Sequence, residues 1–191
     1  MSRATPQRDL AGVALSRHGL ITVDEAEQLG VDTVRLRQMA RRGAFERISR
    51  GVYRLTGAPH SRFTAYVAAA LWPRQAGTSV GVISHESALD LHELCDVNPG
   101  RIDITVPSSY RLGRRDTPAL YRFHRRDLAD HERTDHSGVP VVTPVRAILD
   151  AIEIGVRDGL IQQAIQTLRR RDELNLRDET RVFAALNERH T

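Results

Sequence analysis

Apolar positions along the chain change period several times, and the changes mark out its elements. Leu10, Val13, Ala14 and Leu15 recur at helical spacing, which predicts a first helix over residues 8–18 with one apolar face. A second helix is expected over Val23–Leu29. Thr22 stands three residues before Glu25, the spacing at which the hydroxyl accepts from the third helical amide and the glutamate reaches back. Gly30 follows, and glycine tolerates the left-handed turn after a helix. Asp32 then stands where an N-cap belongs for a third helix, Thr33–Arg42, which Gly43 ends. From Phe45 the pattern turns to strand: Phe45, Ile48, Val52, Tyr53 and Leu55 are strand formers, and Ser49-Arg50-Gly51 is the turn between two of them.

Residues 19–55 therefore read as a helix-turn-helix with a short connecting turn, followed by a β-hairpin wing. On the third helix, Leu36, Met39 and Ala40 share one face at about 100° per residue, and Val34, Arg37, Gln38, Arg41 and Arg42 share the other. Such a face suits the major groove, because arginine can read guanine bidentately, glutamine can read adenine and an exposed valine can touch a thymine methyl. Between Arg35 and Arg54 stand seven arginines and one acid, Glu46, where a merely solvated surface would mix the signs. The expected division of labour puts Val34, Arg37, Gln38 and Arg41 on base edges. Thr33, Arg35, Arg42, Arg47, Arg50 and Arg54 would hold phosphates.

Gly57-Ala58-Pro59-His60 breaks the pattern and is the candidate boundary between a DNA-binding domain, residues 1–57, and a second domain, residues 61–191. Beyond it a mostly buried helix is expected over 61–72, a short strand over 77–83 and a helix over 85–94 capped by Ser84. Strands are expected over 101–106 (RIDITV), 120–124 (LYRFH) and 139–142, the last after a Ser137-Gly138 turn. Thr143-Pro144 opens a helix with proline at its first position, and two more helices follow at about 158–171 and 176–188. The fold class is α+β: a winged helix-turn-helix, then a mixed α+β domain with a helical C-terminus. No internal repeat is present.

Charge sharpens the division. Residues 1–60 hold ten arginines and six acids, whereas residues 61–191 hold eighteen of each. The positive excess lies entirely in the first third, as for a chain with one nucleic-acid-facing end. All 28 basic residues are arginine, so a P-loop lysine, a Schiff-base lysine and a lysine-bearing nuclease core are excluded. No apolar run approaches the length needed to span a membrane, the N-terminus lacks a signal-peptide core, and Cys95 stands alone. A cytoplasmic location is expected.

The remaining chemistry is thin. His85 and His92, and the group His131, Glu132 and His136, lack a paired-ligand spacing, so no metal is expected. Ser84 and Ser87 lie near His85 without a nucleophile elbow, so neither an enzyme nor a cofactor is expected. Asp103 is expected to face solvent from its strand. Arg114, Arg115, Arg125 and Arg126, balanced by Asp116, Asp127 and Asp130, are expected to form a salt-bridged surface.

The hairpin RISRGVYRL is followed in order by SHESALDLH, IDITVP, a strand with FHR, and GVPVVTPVRAILD. This succession, from about Arg8 to Ile152, resembles the AbiEi family of antitoxins from type IV toxin–antitoxin systems. The resemblance implies an N-terminal winged helix that represses its own operon at promoter inverted repeats. A homodimer on duplex DNA would fit half-sites about one helical turn apart. It further implies an antitoxin domain whose usual partner is a nucleotidyltransferase-like toxin encoded nearby. The nuclease-like extension of many relatives is expected to be absent. The alternative reading is a protein-interaction module that neutralises such a toxin by direct binding, without significant DNA binding.

Overall fold

The structure, a computed structural model, describes residues 6–73, 80–111 and 118–189. The chain separates into two compact units, Met1–Ser79 and Val80–Thr191.

The first unit is a winged helix. Its elements are α1 (Pro6–Ser16), β1 (Leu20–Thr22), α2 (Val23–Gln28), α3 (Thr33–Arg41), β2 (Phe45–Ser49), β3 (Val52–Leu55) and α4 (Thr64–Leu71). Both expected caps form. The Thr22 hydroxyl accepts from the Glu25 amide at 3.3 Å, and the Thr22 amide donates to the Glu25 carboxylate at 2.8 Å. The Asp32 carboxylate accepts from the Arg35 amide at 2.7 Å. Each cap satisfies helix amides that would otherwise lack partners.

The sequence pattern does not reveal β1. Leu20, Ile21 and Thr22 are all buried, so the segment has no alternation to betray a strand. It pairs antiparallel with β3, Ile21 opposite Tyr53, and makes β3 the middle strand of the order β1-β3-β2. Gly19, just before β1, has φ +86°, and a β-carbon there would lie 2.9 Å from Ala58 Cβ. Only glycine fits that turn without displacing its neighbour. Leu10, Ala14, Ile21, Ala26, Val31, Leu36, Phe45 and Tyr53 form the core, with Met39 and Ala40 packed at its margin. The helix after the Gly57–His60 break, α4, belongs to this unit, and the Thr64 hydroxyl donates to the His18 carbonyl at 3.2 Å.

The second unit is built on five strands in the order β6-β5-β4-β8-β7. They are β4 (Val82–Ile83), β5 (Ile102–Val106), β6 (Tyr121–Arg125), β7 (Arg133–His136) and β8 (Val139–Val142). β4 runs parallel to β8 and antiparallel to β5, while β5 and β6 are parallel and β7 and β8 form a hairpin. The helices are α5 (His85–Leu91), α6 (Pro144–Glu153), α7 (Asp158–Arg170) and α8 (Leu176–Arg189), with a 3₁₀ turn at Asp130–Glu132. Ile83, Leu89, Ile104, Val141, Ile148, Ile161 and Leu168 are fully buried. The strand expected over 77–83 is confined to Val82–Ile83 among the described residues; 77–79 lie outside them. The polar, largely exposed RTDH of β7 carries no apolar signal and is an edge strand. No helix of the described residues is long and apolar enough to cross a membrane.

Truncating Leu36, which is fully buried, leaves a cavity under α3. Leu36→Ala should therefore lower the stability of the first unit by about 2–5 kcal/mol, and Thr22→Ala by about 1 kcal/mol. Urea unfolding followed through Trp72 fluorescence measures both.

Candidate functional site

The site is the outer surface of α3 together with the wing. Leu36 is the buried residue of α3, so its burial turns the opposite surface to solvent. Val34, Arg37, Gln38 and Arg41 are all exposed, Val34 at 61 %. Their spacing of three, four and seven residues places them in one stripe along the helix. Arg35 and Arg42 are exposed beside it. Thr33 is half-buried at the helix start, and its hydroxyl donates to Glu27 Oε1 at 3.0 Å, which ties α3 to α2.

The wing is short. β2 and β3 are joined at Arg50-Gly51, and the register slips between Arg47 and Ser49, which bulges the strand. Arg50 is exposed at the tip, with Gly51 at φ +76°. Arg47 is exposed too, its Nε donating to the Ser49 carbonyl at 3.4 Å. Arg54 differs from expectation. It is only 9 % exposed and its guanidinium donates to the Ala58 carbonyl at 2.6 Å. Because β3 is the middle strand, the Gly19 turn and the Ala58 turn close over this side chain. Arg54 thus clasps the domain together and does not reach solvent. The exposed surface keeps Arg35, Arg37, Arg41, Arg42, Arg47 and Arg50, with Glu46 as the exposed acid of the hairpin.

Residues 8–56, which span α1 to the end of the wing, match the family model described as transcriptional regulator, AbiEi antitoxin. The AbiEi match covers the first part of the span over which the sequence motifs run. Among solved structures, the crystal structure of the RV2827C protein from Mycobacterium tuberculosis aligns over 99 % of this chain and 79 % of that chain, at 14 % identity and a TM-score of 0.48. No curated protein matches the chain.

Beyond the AbiEi segment, the second unit gathers polar residues that look unremarkable in sequence. Asp103 was expected to face solvent; it is fully buried, and His124 Nε2 lies 2.8 Å from its Oδ1. The Ser87 hydroxyl accepts from the Asp103 amide at 2.8 Å. Ser84 does not cap α5 with its side chain; its hydroxyl accepts from Thr105 at 2.8 Å and lies 2.9 Å from His85 Nδ1. His85 stacks on His124 with ring centroids 3.5 Å apart. Arg146 donates to Asp150 at 2.5 and 2.8 Å, an i,i+4 pair on α6. The alternation of IDITV and YRFHR placed these strands, but the meeting of Asp103 with His124 depends on parallel pairing that spacing does not reveal.

Ser84 and Asp150 both approach the same nitrogen of His85, the latter at 4.0 Å. A nucleophile–base–acid relay uses both ring nitrogens, so this arrangement is not one. His92 Nε2 donates to the Val142 carbonyl at 2.8 Å, and burial lowers its pKa. Among the described residues, no three histidine, cysteine, aspartate or glutamate side chains could hold a metal ion. On the surface, Arg126 pairs with Glu153 and Arg133 with Asp130, while Asp127 accepts from the Ser108 amide. Arg114, Arg115 and Asp116 lie outside the described residues.

The burial of Arg54 makes a separable claim. Arg54→Ala should destabilise the first unit by about 1–3 kcal/mol, since it removes a buried charged donor from a carbonyl. It should leave the salt dependence of duplex binding unchanged at temperatures where the domain is folded. Thermal unfolding paired with a salt titration separates the two effects.

Proposed function

We propose that the chain is a sequence-specific repressor that binds inverted repeats in the promoter of its own operon, and that residues 80–191 carry the antitoxin role. The observation that carries the DNA reading is the stripe Val34, Arg37, Gln38, Arg41 standing clear of the core beside exposed arginines on α3 and the wing. These side chains have the chemistry to read base edges, and Arg35, Arg42, Arg47 and Arg50 have the charge to hold phosphates. Thr33 joins them through its lone pairs, its proton being engaged by Glu27. The match of residues 8–56 to the transcriptional regulator model supports the same role.

Two copies on DNA, one per half-site, follow from the two-fold symmetry of an inverted repeat. The resemblance of the later motifs supports a nucleotidyltransferase-like toxin as partner of the second unit. The site of action is the cytoplasm, where the promoter is.

The test is binding to the DNA upstream of the gene, titrated against salt and against a scrambled duplex. Arg41→Ala should weaken the specific complex by about 1–3 kcal/mol and relax discrimination. Arg50→Ala should weaken every duplex alike and reduce the salt slope by about one. Unchanged binding in both variants would remove α3 and the wing as the interface. No specific complex in the wild type would transfer the weight to direct toxin binding by residues 80–191.

A further inference from the structure

The buried cluster of the second unit plays no part in the DNA-binding reading. At its centre the His85 and His124 rings lie 3.5 Å apart and 17° from parallel. His85 sits at the start of α5 and His124 on β6, an edge strand. The stack therefore joins a helix to the edge of the sheet.

The charges around the stack leave no place for a second cation. From β5, Asp103 is engaged by His124 at 2.8 Å and faces Arg122 at 3.5 Å, while Thr105 bonds to Ser84. From β6 come Arg122, which also faces Glu86 of α5 at 3.7 Å, and Arg126, held by Glu153 of α6. From α6, Arg146 takes Asp150 and reaches Glu132 of the 3₁₀ turn at 3.6 Å and Glu153 at 3.8 Å. His85 Nδ1, bonded to Ser84, is 4.0 Å from Asp150, whose charge is already spent on Arg146. His85 also holds φ +53°, a left-handed conformation that only surrounding packing maintains in a non-glycine residue.

We propose that the His85–His124 stack is an acid-release device: mild acidification opens the contact between α5 and edge strand β6, while the winged helix keeps its fold. Two imidazolium rings at stacking distance repel. Asp103 can neutralise a proton on His124, whereas the carboxylate nearest His85, Asp150 at 4.0 Å, is already held by Arg146. The unfolded segment can accept both protons, so acid favours the open state. The first unit has no such pair among its described residues; His18 and His60 are not buried there.

The direction of the His85 equilibrium agrees. Burial first, then His124 and the three arginines, lower its pKa from 6.5 to about 3. A histidine depressed in the folded state contributes stability above about 6.5 that is lost as pH falls toward 3. His92, lowered chiefly by burial, has the same sign. Burial raises Asp150, whereas the Ala129 amide and Arg146 outweigh burial and lower Glu132. As pH falls, a carboxyl raised in the folded state opposes the histidines and a lowered one acts with them.

The test is amide hydrogen exchange on the full chain from pH 7 to 5, corrected for intrinsic rates. Protection of residues 85–91 and 121–125 should fall about tenfold per pH unit for each histidine involved, while residues 33–41 stay protected. His85→Asn, which is uncharged and tolerates a left-handed backbone, should flatten that fall to the part owed to His92. A pH-independent wild type, or a variant with an undiminished fall, would overturn the proposal. Should the variant not fold, the wild-type imidazole resonances decide: His85 neutral to pH 5 in the folded chain supports the device, and titration near 6.5 without opening refutes it.

Discussion

Leu36 is the side chain of α3 fully withdrawn from water, and the orientation of the helix depends on it. A helix of nine residues is marginal by itself, so α3 exists because Leu36 is buried and Asp32 caps its start. Burial of Leu36 against Leu10, Ile21, Phe45 and Tyr53 fixes rotation about the helix axis. The residues three and four positions away are turned outward as a consequence. The exposed stripe on α3 is therefore an indirect product of aliphatic packing on its other side.

The second unit solves a different problem. α5 follows directly from the end of β4, and α6 from the end of β8, and those two strands are parallel neighbours. Both helices consequently begin at the same end of the sheet, where α/β folds commonly collect polar groups. Ser84, His85 and Asp150 meet there although Asp150 is far along the chain from the other two. Ser84 accepts from Thr105 and bonds to His85, and Asp150 accepts from Arg146, which is what makes burial of so many polar atoms tolerable.

What could be read from the sequence was what is local. Capping at Thr22 and Asp32, the helix boundaries to within a few residues and the alternation of β5 and β6 all depend on neighbours a few positions away. Four features depended on distant partners and were hidden. β1 is three residues long and buried throughout, so it has no period. β7 is polar and becomes a strand by pairing with β8. Arg54 has the composition of a wing arginine, yet the Gly19 and Ala58 turns cover it. Asp103 belongs with these, since its hydrogen bond with His124 spans 21 positions.

The shortness of α3 has a consequence for information. At a rise of about 1.5 Å per residue, nine residues extend about 13 Å, which is the length of about four base-pair steps. A word of four letters, each one of four distinguishable base pairs, recurs by chance roughly once in 250 positions. A genome offers on the order of a million or more such positions. On the proposed reading of α3, one helix of this size cannot specify an address, however good its contacts. The address must be composed from several words, and the spacing between them then carries as much of the message as the letters do.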